Sequence, residues 1–203
     1  HALWGEWRHV RRYARKVLAR TKAHHDVYGV TDAHVTLAQA YYGLGESDEA
    51  RIHADQALKA TEEAGDLRLH GKALNIMGQI LLDENRYAET QQVIRRLLTI
   101  AEQTGDLEAY AHGQLLRAQL LLKSGRRDAA RSLLEGLLPK ARAAGVPFYV
   151  AVTLRHLTEA LVVTGAQADA QSTVDEALAL AKRCRMRHEL AQLQALKLHI
   201  END

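Results

Sequence analysis

The stretch DLRLHGKALNIMGQILLDENRYAETQQVIRRLLTIAEQTG, Asp66 to Gly105, decides the fold. It reads as two helices. Asn85 divides it and Gly105 closes it, both residues that tolerate left-handed backbone at a helix C-terminus, and Asp66 stands where an N-cap acceptor belongs. In the second half Thr90, Ile94, Leu97 and Leu98 fall at i, i+4, i+7 and i+8, one face of an α-helix. In the first half Met77, Gly78 and Leu81 set a small residue beside larger ones, which admits a close neighbour.

Outward from this stretch the same text recurs every 40 residues. Gly5, Gly45, Gly125 and Gly165 share a grid with Asn85, which predicts one turn repeated five times. A second grid holds Gly65, Gly105 and Gly145, followed by the caps Asp26, Asp66 and Asp106; at 146 the cap becomes Val146, with Pro147 at the first helical position. The helical face returns as Val10, Ala14, Val17 and Leu18, then Ala50, Ala54, Ala57 and Leu58. It returns again as Ala130, Leu134, Leu137 and Leu138, and as Ala170, Val174, Ala177 and Leu178. The other helix carries Leu37, Ala38 and Tyr41, Ala118 and Leu121, and Leu157 and Leu161.

Small residue, aromatic or Leu three later, Ala or Thr nine after that, then apolar residues four and seven further on: this pattern resembles the tetratricopeptide repeat. The resemblance covers essentially the whole chain. It departs from the common form in a period of 40 rather than 34 residues, in the missing closing proline, and in His34, Leu74, Gln114 and Leu154 where an early Trp is usual. The longer form is similar to arrays in bacterial ATP-dependent signalling regulators, including large LuxR-type transcription activators, and in some scaffold proteins.

The expected fold is all-α: a right-handed superhelical array of antiparallel helix pairs, an α-solenoid of about ten helices, because a two-helix unit cannot bury its apolar stripe without a neighbour. Residues 5–26 are expected to form the second helix of a truncated repeat, 27–65, 66–105, 106–145 and 146–185 four full repeats, and 186–203 a capping helix, all within one repeat domain. First helices are predicted near 29–43, 67–83, 107–123 and 147–163, second helices near 47–64, 87–104, 127–144 and 166–184, and the cap near 186–201. Pro139 falls inside a second helix and predicts a kink. Truncating Leu98 or Leu138 is expected to cost about 2–5 kcal/mol.

The 203 residues are 47% hydrophobic and 26% charged with two prolines, which excludes a disordered or collagen-like chain. Lys+Arg 27 against Asp+Glu 25 is too balanced to imply a nucleic-acid or membrane partner by bulk charge. The one cysteine, Cys184, reads as a half-buried thiol and fits a reducing compartment, with a cytoplasmic location expected. No apolar run is long enough to span a bilayer. The chain opens on His1 with no leader and reads as a piece of a longer polypeptide. Phosphate-loop motifs and metal-ligand spacings are missing among the glycines and the eleven histidines, and no nucleophile sits in an activating context. No enzyme activity, cofactor or metal is expected.

What remains is surface. If first helices line a concave groove, as the resemblance implies, the residues facing it are Val35, Thr36, Gln39 and Tyr42; Lys72, Asn75, Ile76, Gln79 and Leu82; His112, Leu115, Leu116, Gln119 and Leu122; Val152, Arg155, His156, Glu159 and Val162; and Gln192, Leu196 and His199 of the cap. Gln39, Gln79 and Gln119 recur at one position, continued by Glu159 and His199, and such a ladder can exchange hydrogen bonds with an extended peptide. The chaperone-tail clamp known in this family is not reproduced, since only Lys72 and Asn75 are comparable. The expected role is protein or peptide binding as a sensor or interaction domain of a bacterial transcriptional or signalling regulator; the alternatives are a structural or self-associating scaffold, a homo-oligomer included, and nucleic-acid contact through the first helix. The basic run Arg8, Arg11, Arg12, Arg15, Lys16, Arg20 and Lys22 reads as a solvated outer face, leaving nucleic acid to other domains of the parent protein.

Overall fold

The computed structural model describes residues 2–202, with side chains from residue 6 onward. Ten helices follow one another among the described residues, with no strand between them. They are α1 (Ala2–Ala23), α2 (Val27–Gly43), α3 (Ser47–Ala64), α4 (Leu67–Asp83) and α5 (Tyr87–Thr104). Then come α6 (Leu107–Lys123), α7 (Arg127–Ala143), α8 (Pro147–Val163), α9 (Gln167–Arg183) and α10 (Arg187–Asn202). The all-α repeat array is therefore the fold, with the boundaries of α2 to α10 within two residues of those read from the period and α1 three residues earlier than the expected 5–26.

Its punctuation is the left-handed backbone. Positive φ occurs at His25, Gly45, Gly65, Asn85, Gly105, Gly125, Gly145, Gly165 and Arg185, one residue in every twenty. After most of them the next amide returns to the carbonyl five residues back, as in Glu46 N to Tyr41 O at 2.9 Å, Arg86 N to Leu81 O at 2.9 Å and Ala166 N to Leu161 O at 2.9 Å. This is the Schellman closure, which satisfies helix-end carbonyls that would otherwise lack donors. The two kinds of turn differ in how they start the next helix. The first helices α2 and α4 receive a side-chain cap, Asp26 from Gly29 N and Asp66 from Leu69 N, and α8 starts from Val146 and Pro147 without one, as α3, α5, α7 and α9 start from Glu46, Arg86, Arg126 and Ala166. Gly5 departs from the expected grid: α1 runs through it, so the repeated turn starts at Gly45.

Packing divides into two compact units, residues 1–113 and 114–203. In the first, α1 packs on α2, α2 on α3, α3 on α4 and α4 on α5, and α2 also meets α4. In the second, α7 packs on α8, α8 on α9, α9 on α10, and α8 also meets α10. Within each unit the first helices α2 and α4, and α8 and α10, are thus neighbours, with second helices packed on them. The core is the predicted stripe. Ala50, Ala54 and Ala57, Thr90, Ile94 and Leu97, Ala130, Leu134 and Leu137, and Ala170, Val174 and Ala177 are all buried. The fourth member of the stripe is less deep: Leu58, Leu98 and Leu138 are half-buried, and only Leu178 is fully enclosed. Helix α7 continues unbroken through Pro139, whose ring lies on the exposed side. Cys184 is exposed rather than half-buried, because it follows the last residue of α9 in a turn.

Candidate functional site

The ladder position holds its place on every first helix. Gln39 and His199 are exposed, while Gln79, Gln119 and Glu159 are half-buried. Many of the apolar residues expected beside it are turned inward. Val35, Ile76, Leu82, Leu115, Leu116 and Val152 are buried, since a first helix has neighbours on nearly every side. They act as core and offer a ligand no pocket. The polar candidates of the first unit lie closer to solvent. Tyr42 donates its hydroxyl to Asp83 at 2.7 Å, linking α2 to the end of α4, and Lys72 stands 3.7 Å from Glu108. Asn75 is half-buried beside them on α4, and burial holds His112 below the usual histidine range.

In the second unit the ladder becomes a connected network. Arg155 donates through Nε to Glu189 at 2.9 Å and through Nη1 to Glu159 at 3.0 Å, bridging α8 to α10. His156 Nδ1 lies 2.8 Å from Glu159 Oε2. Its Nε2 faces two donors, Arg155 Nη2 at 3.2 Å and Gln119 Nε2 at 2.7 Å. A carboxylate can only accept, so Nδ1 of His156 carries a proton directed at Glu159. Burial alone would raise Glu159, but charge and hydrogen bonds from His156 and Arg155 outweigh it and hold the carboxyl at about 2. Glu189 is 4% exposed, a burial a carboxylate survives only when paired, and Arg155 supplies the pair. Glu189 carries no sequence signal: it lies in the last helix, 34 residues from its partner. His156, expected to face a ligand, is 3% exposed and works inside this network instead.

The first unit has its own buried polar chain. Arg11 and Arg15 lie over the Tyr41 ring, each 5.6 Å from its centroid, and Arg15 also donates to the Tyr41 hydroxyl. Tyr41 stacks on His53, whose Nδ1 is 2.9 Å from that of His34, so the two rings share one proton. Burial first, then His53 and Lys22, push His34 down to about 4. His70 joins α3 to α4 by lying 2.8 Å from Thr61 Oγ1 and 2.9 Å from Arg96 Nη2. Among the described residues no group of three or more His, Cys, Asp or Glu is arranged to hold a metal ion. No described helix is long and apolar enough to cross a membrane.

The helix pair with α2 and α3 decides the comparison with known families. Residues 31–63 match the tetratricopeptide repeat. The match covers one tetratricopeptide unit, and the same left-handed turns and buried stripe recur in the pairs that follow it. Tetratricopeptide repeats in general mediate protein–protein interaction. A comparison with curated proteins found no match.

Proposed function

We propose that this chain is a protein-interaction module that holds an extended segment of a partner protein along its first helices and performs no chemistry itself. The observation that carries the reading is the recurrence of a hydrogen-bonding side chain at one register within each unit, Gln39 and Gln79 in the first and Gln119, Glu159 and His199 in the second, each at least partly accessible. A row of donors and acceptors at fixed pitch suits a peptide backbone, whose own groups alternate along its length. The finer reading is the interaction or sensor part of a bacterial signalling or transcriptional regulator in the cytoplasm. It is supported by the likeness of the 40-residue period to arrays in such regulators and by the excess of Arg over Lys.

Panning a displayed library of linear peptides against the chain tests this. Selected peptides are expected to lose about tenfold or more in affinity, roughly 1.4 kcal/mol, against Gln79→Ala or Glu159→Ala with helicity unchanged. Equal affinity for both variants and the parent would overturn the ladder as the binding line.

A further inference from the structure

The repeat register gives the basic side of α1 a meaning that composition does not. The buried residues Ala14 of α1, Ala54 of α3 and Ile94 of α5 occupy one register, 40 residues apart. Positions 8, 9, 12, 15, 16, 19 and 22 of α1 then correspond to 48, 49, 52, 55, 56, 59 and 62 of α3, and all fourteen are exposed. Helix α3 has α2 packed on one flank and α4 on the other. This face therefore stays in solvent when a second helix is fully flanked, and its exposure on α1 is a property of the register.

The charge on that face is not shared. On α3 it holds Asp48, Glu49, Asp55 and Glu62 with the single cation Lys59; on α1 it holds Arg8, Arg12, Arg15, Lys16 and Lys22 with no carboxylate. Helix α1 contains seven of the chain's 27 Lys and Arg but one of its 25 Asp and Glu, so the rest of the molecule is net negative. Within the fold Arg11 pairs with Glu46 at 2.8 Å and Arg15 bonds the Tyr41 hydroxyl. Arg8, Arg12, Lys16 and Lys22 have no carboxylate partner among the described residues, and Arg12 reaches only His9, at 3.3 Å. Cations four apart on a helix repel, so Arg8, Arg12 and Lys16 cost the isolated molecule stability that a bound polyanion would return.

We propose that this face of α1 binds the phosphate backbone of duplex DNA without reading its sequence. The cations run from residue 8 to residue 22, about 21 Å of helix at the standard rise. Three of the five are Arg, whose planar fork matches phosphate oxygens. The seven positions hold no Phe, Tyr or Trp; Tyr13, 71% exposed, borders the face as one aromatic side chain, whereas single strands are held by successive stacking residues.

The test is fluorescence anisotropy of the 203-residue chain with a labelled duplex of about 20 base pairs, titrated at several salt concentrations. About four phosphate contacts imply a fall in affinity of about a hundredfold between 50 and 200 mM salt. Removing three cations together, Arg8→Gln, Arg12→Gln and Lys16→Gln, is expected to weaken binding more than about tenfold at low salt and to flatten the salt slope by about two to three. The control Arg95→Gln with Arg96→Gln, the exposed cations of α5 at the register of Arg15 and Lys16, is expected to change nothing. No binding at 50 mM salt, a wild-type affinity insensitive to salt, or equal loss in the control overturns the proposal. So does equal affinity for polyglutamate, which would assign the face to an acidic protein. A dimer in sedimentation that the triple substitution abolishes and duplex DNA fails to displace would assign it to the acidic face of α3 on a second copy.

Discussion

At the scale of single residues, two turns carry a cost that their counterparts avoid. His25 has φ of 54° and Arg185 of 55°, in the left-handed region where a Cβ crowds the following carbonyl, while most equivalent turns use Gly. Arg185→Gly is expected to raise stability by about 0.5–1 kcal/mol, read as a higher melting midpoint, and Gly165→Ala to lower it at least as much. The glycines and Asn85 were legible as turns because only a few residue types fit there. His25 and Arg185 show that a fixed pitch imposes the conformation even where the side chain resists it, and Gly5 shows that glycine without the flanking pattern makes no turn.

At the scale of helices, the one-sided elements were readable and the sandwiched ones were not. Second helices bury one stripe, so their spacing named Leu97, Leu134 and Val174 as core. The depth along that stripe was not readable: Leu134 is fully buried and Leu138 half-buried, because the fourth position lies at the edge of the enclosed face in α3, α5 and α7. Leu134→Ala is accordingly expected to cost about 2–5 kcal/mol by denaturant unfolding, and Leu138→Ala clearly less. First helices such as α8 bury Val150 through Leu154 without a break, and a helix apolar on all sides has no phase from which to choose its ligand face. That is why Val35, Ile76 and Val152 were assigned to a groove and are core, and why the Arg155–Glu189 bridge between helices left no mark in either segment.

At the scale of the molecule, titratable groups are divided between the units. His34, His53, His70 and His112, all in the first unit, are held below the usual 6.5, for His34 down to about 4, with burial the leading cause each time. The unfolded chain therefore binds more protons than the folded one below about pH 6.5, and stability is fully present above that value and falls with pH down to about 4. In the second unit Glu159, lowered from 4.5 to about 2, keeps its full contribution above about pH 4.5 and loses it as pH falls from there to about 2. Hydrogen exchange at about pH 5 is expected to show α2 to α4 opening more readily than at about pH 7, with α8 and α9 little changed. His34→Gln combined with His53→Gln should flatten the response of the first unit, and a response confined to the second unit would refute this account. The evenly spaced left-handed residues have one more consequence. Every joint carries left-handed backbone at the same register whatever its side chain, so a gene segment copied or deleted from one joint to its equivalent forty residues on leaves the helical period in step. Such a chain can change its length in evolution by recombination alone, with no interface needing to be invented.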